Sequence, residues 1–170
     1  MTFKILGALL VLAGCGGFGL MIATNHAREV RTLRQLISLL DFMECELQYR
    51  YTPLPELCRQ AAGESTSILQ MVFMNLAMEL EDQISPDVQR CMVAALEKSR
   101  DIPKFTRKSL LLLGSCMGRF DMDGQLKGLD NVRAECRRVL ENLMHDQDNR
   151  LRSYQTLGIC AGAAIAILFI

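Results

Sequence analysis

The side chains best placed by type to do acid–base chemistry come as two close pairs of carboxylates, Glu44 with Glu46 and Asp121 with Asp123. Two carboxylates can divide the roles of proton donor and acceptor only when both face one substrate. Residues two apart on a helix point to different sides, so on a helix neither pair can work in this way. Metal and thiol chemistry fare no better. The seven cysteines, Cys15, Cys45, Cys58, Cys91, Cys116, Cys136 and Cys160, are widely spaced and form no C-x-x-C. An odd number suits neither a disulfide framework nor a zinc knuckle, and they read as reduced, mostly buried small residues. His26 and His145 are the two histidines, and neither has a second ligand at the spacing zinc sites use. The sequence contains no G-x-S-x-G, no G-x-x-x-x-G-K-[ST] and no H-E-x-x-H. Gly14-Cys15-Gly16-Gly17-Phe18-Gly19 does spell G-x-G-x-x-G, with Asp41 downstream. That fingerprint needs parallel strands around it, and nothing further along reads as a strand. The expectation is a protein without catalytic residues, metal or cofactor.

The element that carries the first acid pair is strongly periodic. At 100° per residue Leu33, Leu36, Ile37, Leu40, Met43, Leu47 and Tyr51 fall on one face of a helix. Leu39, Phe42 and Tyr49 face elsewhere, so the helix is either covered on two sides or offers an apolar strip to a partner. Glu44 sits within the stripe, where an unpaired carboxylate is costly, and Arg133 is the basic residue placed to meet it. Glu44, Tyr49 and Arg133 could also line a small-molecule pocket, an alternative reading of the chain. Thr52-Pro53-Leu54-Pro55-Glu56 ends the helix, because a residue before proline is pushed out of the α region while proline suits a new first turn. Arg34, Glu46, Arg50 and Glu56 flank the stripe without filling it, which with Thr52, Pro53 and Leu54 makes a candidate interaction surface.

The rest of the middle of the chain reads as helix after helix. A short one spans about Pro55 to Ala62 and stops at Gly63, a left-handed cap. Ser65 or Thr66 opens the next, with Ile68, Met71, Val72, Met74, Leu76, Met78 and Leu80 as core material and its methionines as gap-fillers. Ser85-Pro86 reads as an N-cap and first-turn proline ahead of Val88, Met92, Val93 and Leu96. A fifth helix runs from Pro103 or Thr106 to Met117 and ends at Gly118. The last begins near Asp121 or Asp123, carries Leu126, Leu129, Val132, Cys136, Leu140, Leu143 and Leu151, and has no proline to stop it before the end of the sequence.

Charge and hydropathy place this bundle. Nineteen basic and nineteen acidic residues give no net charge, and no basic run is interleaved with aromatics, so nucleic acid is not the expected partner. Residues 5–23 are apolar without a charge, about the length of a helix that crosses a bilayer. Residues 157–170 form a second, shorter uncharged run. Cys15, Gly19 and Ala23 recur every four residues in the first, as do Gly158, Gly162 and Ala166 in the second, the small-residue spacing that lets membrane helices pack. Arg28, Arg31, Arg34, Arg150 and Arg152 lie on the inner side of these runs and Lys4 outside, so the positive-inside rule puts the middle of the chain in the cytoplasm. The expected layout is an all-α protein: an anchor over residues 1–24, a compact bundle of about six helices over 25–153, and an anchor over 154–170. Leu12-Ala13-Gly14-Cys15 also has the form of a lipoprotein processing box, which would instead place the domain outside the cytoplasmic membrane.

Leu33-Arg34-Gln35-Leu36, Met43-Glu44-Cys45-Glu46-Leu47-Gln48-Tyr49 and Thr52-Pro53-Leu54-Pro55-Glu56 together resemble the signature of the stage III sporulation protein AB family of endospore-forming bacteria. The likeness extends to Leu6-Gly7, to Gly118 with Asp121 and Gln125, and to Leu157-Gly158. Arg50 stands where the family usually has glycine. The resemblance implies a helical domain similar to the cytoplasmic part of the inner-membrane platform protein of type II secretion and type IV pilus machines. It further implies a place in the mother-cell membrane, in the channel complex between mother cell and forespore, with a cytoplasmic secretion-type ATPase and other membrane proteins as partners.

Overall fold

The structure is a computed structural model. It describes the backbone of residues 2–82, 87–99, 101–118 and 122–169, and the side chains of residues 25–82, 87–99, 101–118 and 122–145. Among the described residues there are six helices and no strand: α1 (Thr2–Arg50), α2 (Leu54–Glu64), α3 (Ser67–Glu81), α4 (Val88–Lys98), α5 (Lys104–Cys116) and α6 (Met122–Phe169). Each helix packs on the next in sequence and α6 returns to α1, so the bundle closes on its first helix, which also touches α5.

The stripe read on α1 is the core. Leu33, Leu36, Leu40, Met43 and Leu47 are buried, and Leu39 on the other face is buried too, so α1 is covered on two sides. Tyr51 leaves the stripe: it lies beyond the helix, 70% exposed. Leu57, Leu69, Val72, Phe73, Met92, Leu96, Leu110, Leu113, Leu129 and Val132 complete the packing from the other five helices.

Several boundaries differ from the sequence expectations. Gly63 is not a cap. α2 runs through Glu64, and its last turn is closed at Ser65, whose N–H and hydroxyl both reach the Ala62 carbonyl. On α3 the buried face is Leu69, Val72, Phe73, Leu76 and Ala77, while Met71 and Met78 are 52% and 53% exposed rather than core. The cap of α4 is Asp87, whose carboxylate accepts from the Gln89 N–H at 3.2 Å, and Ser85 and Pro86, read as cap and first turn, lie outside the described residues. α5 and the start of α6 follow the reading. Gly118 has φ +78°, and an added Cβ there would stand 2.3 Å from Val88 Cγ2, so glycine is required by conformation and by space together. Gly128 serves close approach alone, since its missing Cβ would meet Cys116 Cβ at 2.7 Å.

Of the five cysteines whose side chains are described, Cys58, Cys91 and Cys136 are buried, Cys116 is half-buried and Cys45 is exposed, all as free thiols. Among the residues whose side chains are described, no helix is long and apolar enough to cross a membrane. The runs 5–23 and 157–170, with the spacing residues Cys15, Gly19, Ala23, Gly158, Gly162 and Ala166, lie outside the residues whose side chains are described.

Candidate functional site

The corner that stops α1 is built by three backbone decisions. Pro53 holds φ −57° and ψ 143° and keeps Thr52 out of the helix, Leu54 and Pro55 fill the first turn of α2, and Leu57 N–H returns to the Pro53 carbonyl at 2.8 Å. Tyr51 adopts φ +54°, a left-handed conformation costing roughly 1–2 kcal/mol for a residue with a Cβ.

A buried carboxylate locks this arrangement. Glu46 is 8% exposed; it accepts from the Thr52 hydroxyl at 3.3 Å and pairs with Arg50 at 3.2 Å. It therefore does not flank the stripe as expected but sits under the corner, one turn inside the helix it terminates. Glu56 pairs with Arg59 at 3.0 Å and accepts from Gln60 at 3.3 Å, and Arg59 also bonds Glu81, tying α2 to the end of α3. What remains outward is Tyr49 at 74% and Tyr51 at 70% exposure, the Arg50 side chain at 72%, and Pro53. Leu54 is half-buried and lies under Gly118. Tyrosine and arginine are the residues that anchor protein contacts, since they give large contact area and hydrogen bonds with little rotamer freedom to lose.

Arg34 is not part of this surface. It lies sixteen positions up α1 from Arg50, about 24 Å along the helix, and donates to Met144 Sδ at 3.6 Å on α6. The structure thus groups Glu46, Arg50, Thr52, Pro53, Leu54 and Glu56 at one end and leaves Arg34 near the other.

The pairing of Glu44 with Arg133 does form, at 2.5 Å, and the guanidinium also reaches Asp41 at 2.7 Å and Asp130 at 2.5 Å. Hydrogen bonds to Asp41 and Asp130, with the charge of Glu44 behind them, raise the Arg133 pKa further above its ordinary range, so it stays a cation. Glu44 and Arg133 are spent on this link between α1 and α6, and Tyr49 stands exposed, so the three do not converge on an apolar pocket. Among the described residues no group of three or more His, Cys, Asp or Glu side chains is arranged to hold a metal ion.

One contact has no sequence signal at all. Glu29 of α1 accepts from the backbone N–H of Phe105 at 2.6 Å and of Thr106 at 3.2 Å. α5 opens on Pro103, which has no side-chain donor or acceptor, and the carboxylate of another helix supplies the cap. The residues are 76 and 77 positions apart, beyond the reach of any local capping pattern.

Comparison with known proteins gives concordant results. The family model for stage III sporulation protein AB matches residues 4–170. The stage III sporulation protein AB of Bacillus subtilis (strain 168) is 23% identical over 168 residues, which cover 97% of this chain and 98% of that protein. A solved structure of a stage III sporulation protein AB superposes with a TM-score of 0.63 at 21% identity, over 72% of this chain and 98% of the other, a likeness of fold.

Proposed function

The chain belongs to the stage III sporulation protein AB family, and from that premise we propose that it is a non-enzymatic membrane platform of a sporulation complex that docks a cytoplasmic secretion-type ATPase. In this reading residues 1–24 and 154–170 are the anchors, and residues 25–153 stand in the cytoplasm of the mother cell. The other membrane proteins of the complex meet the anchors through Cys15, Gly19, Ala23, Gly158, Gly162 and Ala166.

The observation that carries the proposal is the polarity of the bundle. The Arg34 to Met144 contact sets the part of α1 that follows the first apolar run beside the part of α6 that leads towards the second, so both long helices continue from one end. The Thr52 to Glu56 corner stands at the other, about 38 Å of helix from Asn25. A surface of exposed tyrosines and arginine is thereby held at the end of α1 away from the first apolar run, where a soluble partner can reach it. Polar and aromatic side chains there set rate and specificity of association without disturbing the core.

The test is titration of the full chain in lipid nanodiscs with the ATPase at low and moderate salt. Tyr49→Ala with Arg50→Gln, which removes the charge but keeps a donor for Glu46, is expected to weaken association about tenfold or more, on the scale of a contact hot spot, and to alter its salt dependence. No association at tens of micromolar by a folded chain, or association unmoved by the two changes, overturns the docking role.

A further inference from the structure

The end of the bundle opposite the corner carries charge that the fold leaves uncompensated. Arg28 and Arg31 are exposed on α1, and Lys104, Arg107 and Lys108 are exposed on α5. Positions i, i+3 and i+4 share a helix face, so the three basic residues of α5 form one row. None of these five side chains pairs with a carboxylate among the described residues. Arg50, Arg59, Arg133 and Arg138 do pair, whereas Arg90, Lys127 and Arg137 are also exposed without an ion pair elsewhere on the bundle, so what marks this end is the grouping of five such side chains. Of the acids nearby, Glu29 is turned onto the α5 backbone and Asp101 is exposed.

The α5 row is local to this end because of the Glu29 cap. Asn25, Arg28 and Glu29 of α1 line a shallow depression together with Asp101, Ile102, Pro103 and Lys104. Asn25 is two residues past Ala23, where the first apolar run ends, or about 3 Å along the helix, and Glu29 is about 9 Å past it. The headgroup layer of one leaflet is roughly 5–8 Å deep. A run that spans the bilayer therefore brings the Asp101–Lys104 turn to the outer edge of the headgroup layer, within reach of long side chains, though it lies far from either run in sequence. Phe105, 39% exposed in the first turn of α5, adds an aromatic ring beside the basic row.

We propose that Arg28 and Arg31 of α1, with Lys104, Phe105, Arg107 and Lys108 at the start of α5, form a surface that rests on anionic phospholipid headgroups. It rests on the membrane reading above and extends it: the bundle is seated on the bilayer through a helix that does not itself enter it. Continuity with the apolar run and the unpaired positive charge are both what a negatively charged lipid surface complements, and long basic side chains can reach up from the level of Glu29.

The chain has no tryptophan, so Phe105→Trp installs a single indole fluorophore at the proposed contact. The full-length variant is reconstituted into phosphatidylcholine vesicles with and without about a third phosphatidylglycerol, a content that gives a strongly negative surface. Alkaline carbonate extraction first establishes whether the chain is embedded. With anionic lipid, the indole emission of the embedded chain is expected to shift to the blue and to be quenched by lipids brominated near the headgroup. Adding Lys104→Glu and Arg107→Glu is expected to reduce the contacting population roughly tenfold or more, given the contribution of each basic side chain near such a surface. Tyr49→Trp at the far corner is expected to give solvent-exposed emission in both lipids. If the Phe105→Trp chain is embedded and its indole signal is indifferent to anionic lipid or to charge reversal, this proposal is overturned and the anchors are left standing. Release of the chain by carbonate overturns the membrane reading and this proposal with it.

Discussion

Where α1 enters the bundle, Glu29 reaches across to the backbone of α5; where α1 stops, Glu46 reaches forward six residues to Thr52 on its own stretch of chain. The first contact joins elements that nothing in the sequence places together and sets the relative height of two helices. The second is local and fixes the angle of a turn. Around Glu29 a group of basic side chains is unpaired, whereas Glu46 holds Arg50 in an ion pair and aromatic rings stand outermost beside it. The two ends thus differ in kind: one presents a field of positive charge suited to a broad charged surface, the other a shaped tip suited to a protein.

The change that removes both ends at once is Leu40→Asp. Leu40 lies midway between Glu29 and Tyr51 and is 1% exposed, so an unpaired carboxylate there is expected to cost about 4 kcal/mol or more and abolish cooperative unfolding. Circular dichroism on heating measures it, and retention of a sharp transition would separate the two ends from the core that is held to join them.

Gly118→Ala acts on the corner end alone. The positive φ and the 2.3 Å approach to Val88 Cγ2 together predict a loss of about 2–3 kcal/mol. Hydrogen exchange should quicken in the first turns of α2 and α4 while the amides of Phe105 and Thr106 stay protected. If protection falls equally at both ends, the division into two independent regions fails.

Glu29→Ala and Glu46→Ala are the matched pair. Removing a cap costs about 1–2 kcal/mol, and removing one partly buried acceptor about 1 kcal/mol. Exchange at Phe105 and Thr106 should rise only with the first substitution, and mobility of Thr52 only with the second, as read by amide NMR. A response of α5 to Glu46→Ala would mean that the clamp under the corner carries more than its own turn.

Thiol reactivity perturbs the fold least and still discriminates. Burial pushes the Cys58 pKa from 9.0 up to about 12, whereas Cys45 is exposed on α1, so a maleimide at pH 8 should modify Cys45 and spare Cys58 until the chain unfolds. The raised value also sets a sign. The protonated thiol is favoured by the folded state, so this contribution is complete below about pH 9 and is lost as pH climbs towards about 12. Denaturant titrations at pH 8 and pH 10.5 should show the loss, and a Cys58→Ala chain should show less of it.

Most of the fold was legible because its signals are local. The α1 stripe as far as Leu47, the prolines at 53, 55 and 103, and Gly118 each rest on neighbouring turns of the chain, and the reading from them survives, apart from Tyr51. The acidic intrusion at Glu44 was legible for a related reason: a charge inside an apolar stripe demands a partner, and Arg133 was the one on an inward face. Where two local readings compete, sequence fails. α3 is apolar on more than one side, and periodicity cannot tell that the face of Leu69, Val72, Phe73 and Leu76 wins over that of Met71 and Met78. Glu46 read as a surface charge because its burial depends on a turn that folds back over it. The Glu29 cap was out of reach altogether, since it is decided by where α5 lands in the closed bundle.

That closure also has a cost in time. The pairs joining α1 to α6, Glu44 with Arg133 and Arg34 with Met144, are separated by 89 and 110 residues. Translation at about 5–20 residues per second leaves the first helix without its last partner for roughly 5–20 seconds after it emerges. Throughout that interval the buried stripe from Leu33 to Leu47 has no complete covering, and the far-apart pairing slows the final docking of α6 relative to the local helix pairs that precede it. The nascent chain is therefore most vulnerable to aggregation and proteolysis at the helix whose apolar stripe waits longest for its cover.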